Sequence, residues 1–547
     1  MQITRPAKHL RDTRPLHYRI AQRMSVTALI LILFAATAGL RLLADRSNIP
    51  LPTLLVLGGL GVAFIPGLPR LVLDPEAIFL IFIPPLLFWS SLTTSLRDLK
   101  RNLRSITLLA VVLVLVTMTV VAAVAHAMLP ELPWAVCFVL GAIVSPPDAV
   151  AVVASTRRLA LPRTTVVILE GESLMNDATA LVAYQIAVTA AVTGSFSLSH
   201  AGVQLLVTGA GGIAVGLAMG WCVGWVRLHM ARSSVVENTI SLLSPFVAYI
   251  PANEFGFSGV LAVVAMGLFL GRAGPRVVTP ETRLQGTAMW EVLTFLLEGL
   301  IFIFIGLQLP QVVQALDSGT VARVLGASTA IAAAMIATRI LWMFPGAYLP
   351  RWIDGRFRRV KPRYPPWRHI VFAGWAGIRG GDSLVIALAL PFAGAHGAPL
   401  PGRAAVIFIT FIVILITLVV QGFSLAPLIR LLGIVGDNEE EVEEQQARCS
   451  SIRAGMEALE RLRDGPDSEP ETAEQLKHMD ARELEQLSGS SFSSSSRLRL
   501  AMIAARREAV IAMRDRSEIS DAVMRRLLSE FDHEEIFLHQ RSNPQPP

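Results

Sequence analysis

From residue 25 to residue 433 the sequence is a succession of apolar windows separated by short polar interruptions. Each window is about 20 residues long, the length an α-helix needs to cross the hydrocarbon core of a bilayer. Within lipid a backbone must satisfy its own hydrogen bonds, which leaves helices or closed barrels as the spanning structures. Windows of this length select helices, and we read about thirteen of them, hence an all-α polytopic membrane protein. The weakest division falls between 238–256 and 258–271, where the second window is short and reads as a broken or tilted helix. The composition, 53% hydrophobic and 16% charged over 547 residues, excludes an ordinary soluble enzyme. Cys137 and Cys222 lie in apolar windows and Cys449 in a polar tail, so neither a disulfide framework nor a metal cluster is expected, and no cofactor.

Loop charge sets the orientation. Arg97, Lys100, Arg101 and Arg104 fill one interruption, Arg157, Arg158 and Arg163 another, Arg227 and Arg232 a third, Arg272, Arg276 and Arg283 a fourth, and Arg351 to Arg368 a fifth. The alternate loops, around Glu131, Ser195, Asn253, Asp317 and Ala395, carry almost no Lys or Arg. The basic set is therefore expected in the cytoplasm and, by parity, the C-terminal tail as well. Because the net charge of +6 is spent on these loops, membrane lipid and not nucleic acid is the expected neighbour. One end disobeys: parity puts residue 1 outside, yet Arg5, Lys8, Arg11, Arg14, Arg19 and Arg23 face a single acid, Asp12. This points to Met24 as the true start, the alternative being a start at Met1 with the rest of the chain overriding a basic tail; residues 1–24 are then a basic N-terminal extension ahead of the 25–435 membrane domain. Past Gly436 the run Asp437 to Glu444 opens a polar tail, 436–547, with a Ser-rich linker at 488–496. Leu498, Met502, Ala505, Val510 and Met513, then Val523, Leu527 and Phe531, recur at helical spacing and predict a helical hairpin over 497–540.

Three carboxylates interrupt the otherwise apolar run 166–191: Glu170, Glu172 and Asp177. A charged side chain near the bilayer centre costs from about 3 to well over 10 kcal/mol, so each must be paired, solvated or used. Glu172 and Asn176 are four apart, as are Ser173 and Asp177, which makes two adjacent polar rows on one helix flank. Just upstream, Ser145-Pro146-Pro147-Asp148 should break a helix near mid-membrane, freeing carbonyls around Ala142 to Val144 to coordinate a cation. A new half-helix would start at Asp148, whose carboxylate can cap it. Late in the chain Gly374-Trp375-Ala376-Gly377-Ile378-Arg379-Gly380-Gly381-Asp382 repeats the theme, a glycine-rich interruption with an acid on its far side. Two broken helices in corresponding halves are the pointer to an inverted-repeat secondary transporter with its site at the midplane. Arg339 and Arg379 also fall in apolar windows and need carboxylate partners, for which Glu172 is the natural candidate. That leaves Asp177 and Asp148 for ion exchange. Glu254 and Glu298 read as interior polar groups bonded to neighbouring helices, with direct ion binding as the alternative.

Gly171-Glu172-Ser173-Leu174-Met175-Asn176-Asp177 resembles the Glu-Ser-x-x-Asn-Asp segment of the NhaP-type, or NHE-like, sodium/proton antiporters of monovalent cation:proton antiporter family 1. Further blocks agree in order: Ile83-Pro84-Pro85-Leu86-Leu87-Phe88, Glu254 to Val260, Trp290-Glu291 through Leu307, Gly377 to Gly380, and Phe531 to Glu535. The resemblance implies an NhaA-like antiporter fold with two broken crossing helices, and a homodimer with a dimerisation domain and a six-helix core, in the bacterial plasma membrane. It implies that Asp177 alternately holds a proton or Na+, that Asp148, Ser173 and the Pro147 backbone help coordinate, that Asn176 marks the electroneutral branch, and that Glu172 bonds Arg339 or Arg379. The sequence departs from the family pattern at Ala149 (a proline there in the common Thr-Asp-Pro), at Pro147 (a hydroxyl residue), at Trp89 (an acid) and at Asp382 (an aliphatic residue). These departures bear on which cation is carried, Na+, Li+ or K+, and on whether Asp382 adds a second titrating group.

The chemistry is competition. A buried carboxylate that sees one narrow cavity takes up a proton or a cation but not both, and alternating exposure turns that competition into exchange. With Asn176 supplying a neutral dipole, one functional carboxylate predicts one-for-one, electroneutral exchange of Na+ or Li+ for H+. A K+/H+ antiporter of the same fold is the rival within the class. An intramembrane aspartyl protease is the rival outside it, though its Tyr-Asp and Gly-x-Gly-Asp pairs are absent.

Overall fold

The computed structural model describes residues 16–434 apart from 48, 65–74, 157–160, 195–197, 230–232, 315–317, 358–363 and 393–399, together with isolated positions between 454 and 534. The described elements are all helical: α1 (Leu16–Arg46), α2 (Leu51–Ala63), α3 (Pro75–Thr93), α4 (Leu96–Thr107), α5 (Val114–Met128), α6 (Trp134–Val144), α7 (Ala149–Thr156), α8 (Arg163–Thr193), α9 (Leu198–His229), α10 (Ser234–Glu254), α11 (Gly259–Val277), α12 (Pro280–Gln314), α13 (Ser318–Phe357), α14 (Trp367–Trp375), α15 (Gly381–Leu388), α16 (Arg403–Ile416) and α17 (Gly422–Leu432). Wide π-turns at Leu108–Leu113 and Thr417–Gln421 join α4 to α5 and α16 to α17.

Among the described residues six helices are long and apolar enough to cross a membrane, within Leu99–Met128, Gly202–His229, Ser234–Glu254, Glu281–Pro310, Val321–Ile353 and Arg403–Leu432. The apolar helices at Leu51–Ala63, Phe79–Thr93, Trp134–Val144 and Gly259–Ala273 are shorter. α8 is 31 residues long yet stands outside both sets. Its carboxylates lower its hydropathy.

The helices pack as two groups. In one, α2 lies along α12 while α9 and α3 lie along α11, with α1 and α10 beside them. In the other, α5 packs on α6, α6 on α8, and α13 on α5, α14 and α16. Lipid tails are as apolar as leucine, so helix association in a membrane relies on close backbone approach at small residues. Here Gly306 of α12 faces the Val56 carbonyl of α2, and Gly216 of α9 faces the Ala262 carbonyl of α11, each with no room for a Cβ. The second group holds, in chain order, a continuous helix, an interrupted pair and a continuous helix, and then the same sequence again: α5, α6/α7, α8 and α13, α14/α15, α16.

Several expectations change. The Arg97–Arg104 loop is a helix, α4, that buries Leu99 and Ile106 and leaves Lys100, Arg101 and Arg104 exposed, as an amphipathic segment at a membrane surface would. The short window at 258–271 is one unbroken 19-residue helix, α11, because Gly267 and Gly271 serve close packing against Ser91 and Leu92 instead of ending it. Glu254 is not an interior polar group: α10 ends there, Gly256 turns the chain at φ 74°, and Glu254 is exposed with Asn253 and Phe255. The window expected from residue 25 lies within a longer helix, α1, described from Leu16, and residues 1–15 of the expected extension lie outside the described residues.

The chain divides into two units, Met1–Ile434 and Val435–Pro547. The Ser-rich linker and most of the expected hairpin lie outside the described residues. Within the second unit Ile503, Arg506 and Val510 are helical, as are Glu530, Phe531, His533 and Glu534, and Arg506 pairs with Glu534 at 3.7 Å.

Candidate ion site at two interrupted helices

α6 stops at Val144 because Pro146 and Pro147 cannot continue its hydrogen-bond ladder. α14 stops at Trp375, where glycine-rich backbone runs non-helical from Ala376 to Gly380 before α15 resumes. The two interruptions are bonded to each other. The Asp148 amide donates to the Ile378 carbonyl at 2.8 Å, and Arg379 Nε donates to the Val144 carbonyl at 2.6 Å. Gly380 lies so close to the Asp148 carboxylate that a Cβ there would overlap it. With φ −94° this glycine is needed for space and not for a special backbone angle.

α8 crosses beside this junction, and its two polar rows divide the work. The inner row is buried: Glu172 is 1% and Asn176 0% exposed. Glu172 accepts from Arg339 through both oxygens, Nη1 to Oε1 and Nη2 to Oε2, the latter at 2.9 Å, while Arg339 Nε donates to the Ala373 carbonyl at 3.2 Å. Asn176 Nδ2 donates to the Pro147 carbonyl at 3.1 Å, and its Oδ1 is buried without a partner. The outer row, Ser173 and Asp177, is only partly buried, as are Asp148, Asp382 and Glu298. Ser173 Oγ accepts the amide of Ala149 at 3.2 Å, so a hydroxyl from α8 caps the first residue of α7. Asp148 and Asp382 lie within electrostatic range of Asp177, and also of Glu298 on α12.

Charge follows the half-helix ends. Asp148 precedes α7 and Asp382 stands in the first turn of α15, where the positive ends of the helix dipoles favour anions. Arg379 and Arg339 donate to carbonyls at the ends of α6 and α14, where the dipoles are negative. Of the carbonyls expected to be free around Ala142 to Val144, Val144 is taken by Arg379 and Ala142 by Ser145 Oγ at 3.2 Å; the Pro147 carbonyl, expected to help coordinate, accepts from Asn176, and at the second break Gly377 accepts from Arg379 Nη1 at 2.6 Å. Of the two arginines proposed as partners for Glu172, Arg339 makes the pair. Arg379 spends its hydrogen bonds on backbone, because the two breaks offer unpaired acceptors nearer than the carboxylate.

Sequence reading overlooked Thr417, Gln421 and Ser424. Thr417 Oγ1 accepts the Arg379 amide at 3.1 Å, Gln421 Nε2 donates to the Trp375 carbonyl at 2.8 Å, and Ser424 Oγ accepts Trp375 Nε1 at 2.7 Å. Their spacing of four and three in an otherwise apolar run was the available signal. Trp89, where an acid was expected, stacks on Trp290 with ring centroids 5.8 Å apart and takes no part in the junction.

Two interrupted helices locked at their breaks, with acids at the resuming ends and an intact acidic helix alongside, are the pattern of a helical secondary transporter. The solved sodium proton antiporter MjNhaP1 from Methanocaldococcus jannaschii has the same fold, with a TM-score of 0.58 over 75% of this chain and all of that one, at 20% identity. Residues 30–431 match the family model described as sodium/hydrogen exchanger, transmembrane. A Mycobacterium tuberculosis protein named as an uncharacterized Na(+)/H(+) exchanger is 35% identical over 525 residues, 93% of this chain and 95% of its own. The sodium, potassium, lithium and rubidium/H(+) antiporter of Bacillus subtilis is 35% identical over 382 residues, 68% of this chain and 56% of its own. The Na(+)/H(+) antiporter ApNhaP of Aphanothece halophytica is 31% identical over 439 residues, 79% of each. The chain belongs to the sodium/hydrogen exchanger family and is a multi-pass cation/proton antiporter.

Proposed function

We propose that this protein exchanges Na+ or Li+ for H+ one-for-one across the bacterial plasma membrane, serving pH and sodium homeostasis. Asp177 is the carboxylate that carries either the proton or the cation. Asp148, Ser173, Asn176 and the Pro147 carbonyl, through the lone pair that the Asn176 amide leaves, complete the site, and no resident cofactor takes part. The observation that carries the reading is the division of labour on α8: Glu172 is held by Arg339 in the buried row, while Asp177 stands with Ser173 in the row left partly accessible. The unpartnered Asn176 Oδ1 supports it, since a buried amide oxygen without a partner is costly unless a ligand answers it.

On this reading the chain crosses the membrane thirteen times, residues 25–435 forming the antiporter domain and 436–547 a cytoplasmic tail. The α5–α8 and α13–α17 segments are inverted repeats, and the protein is a homodimer. Potassium is the rival cation, favoured by the breadth of ions in the name of the Bacillus subtilis relative. Dequenching of a pH dye in everted vesicles, on adding Na+, Li+ or K+, separates the two. Electroneutrality is tested in proteoliposomes under an imposed membrane potential: the rate should be indifferent to it, and a rate that follows the potential overturns one-for-one exchange.

A further inference from the structure

We propose that the π-turn joining α16 to α17 is a positioning device for the ion site, in which Thr417 and Gln421 hold the α14–α15 interruption in the register that lets Asp148 meet the cation; this rests on the exchange function proposed above.

A π-turn inserts one residue into a helix and replaces its i→i+4 hydrogen bonds by i→i+5 ones, a distortion frequent at functional sites. Here the turn covers Thr417–Gln421, and both of its ends face the interruption. Thr417 donates its hydroxyl proton back to the Ile414 carbonyl at 3.0 Å, which leaves Oγ1 free to accept the Arg379 amide at 3.1 Å. One turn on, Gln421 donates to the Trp375 carbonyl, the last of α14. The end of one half-helix and the centre of the break are thus gripped by one neighbouring helix.

Both side chains are 0% exposed, and Gln421 Oε1 has no hydrogen-bond partner. An apolar residue would fill that place without the desolvation penalty of an unsatisfied amide. Gln421 is retained there for its donor. Displacement of residues 377–380 acts on Asp148 first, because the Ile378 carbonyl holds the Asp148 amide and Gly380 abuts its carboxylate. Asp177, on the unbroken α8, is left in place. Loosening the grip should therefore weaken cation binding and leave the maximal turnover largely intact.

The test uses the full chain in proteoliposomes, with sodium-, lithium- and potassium-dependent proton flux measured for wild type, Thr417→Val, Thr417→Ser and Gln421→Leu, and the thermal midpoint of each recorded in detergent. Thr417→Val removes one buried hydrogen bond at nearly constant volume. The half-saturating sodium concentration should rise about three- to tenfold, with the maximal rate retained within about twofold. Thr417→Ser, which keeps the hydroxyl, should restore the wild-type value. If Thr417→Val does not reach the membrane, Gln421→Leu carries the same expectation from the other end of the turn. An unchanged half-saturation in the folded variants overturns the proposal, and so does a lowered thermal midpoint with loss of rate alone, the signature of a merely structural role. If the wild type shows no cation-coupled proton flux, the exchange function itself falls and the positioning role with it.

Discussion

Replacing Glu172 by glutamine removes one charge and one acceptor from a deeply buried ion pair on α8. Glu172 is 1% and Arg339 2% exposed, and both carboxylate oxygens are occupied by the guanidinium. In Glu172→Gln, Arg339 keeps its bond to the Ala373 carbonyl but loses its counter-charge, and Arg379 remains close enough to repel it. Breaking a buried pair by removing one partner costs about 3–5 kcal/mol, chiefly because the other charge is left uncompensated. For a unit of this size that corresponds to a fall of roughly 3–6 °C in thermal midpoint. The assay is thermal denaturation of the detergent-solubilised protein followed by size-exclusion chromatography, for Glu172→Gln, Arg339→Met and the double variant. Removing both partners restores much of what either single change loses, because no orphaned charge remains. A Glu172→Gln midpoint within about 2 °C of wild type, or a double variant no better than the worse single, refutes the reasoning.

Gly380→Ala places a Cβ on the Asp148 carboxylate, so cation-coupled proton flux should fall more than about tenfold while the protein still folds, checked by flux and thermal midpoint together. Arg379→Lys keeps the charge but loses the planar fork that reaches both the Val144 and Gly377 carbonyls, and should likewise cost about tenfold in flux. Gly306→Val forces α12 away from the α2 backbone and should destabilise the unit by about 1–3 kcal/mol, read as a lower thermal midpoint.

What the sequence made legible was local. Pro146 and Pro147 end a helix wherever they occur in one, the glycines from Gly374 to Gly381 weaken one, and the spacing of Glu172, Ser173, Asn176 and Asp177 sets two rows on a helix flank. What stayed hidden depended on contacts distant in sequence. Whether Arg339 or Arg379 meets Glu172 is decided by α13 passing α8, and no spacing encodes it. The carbonyls freed at the breaks looked like cation ligands because their takers, Arg379 and Asn176, are 235 and 29 residues away from them in the chain. A threonine inside an apolar window ordinarily bonds its own helix, so Thr417 gave no sign that its second lone pair answers the Arg379 amide. Glu254 was misread because a hydropathy window does not register the turn at Gly256, which brings the helix end out of the core.

Everything proposed for this site turns on proton and cation competing for the Asp177 carboxylate. That competition is tested most directly by measuring sodium- and lithium-dependent proton flux in everted vesicles for the native protein and for Asp177→Asn at matched expression. Flux in Asp177→Asn should drop to that of vesicles lacking the protein. Coupled exchange persisting at the native rate would contradict it.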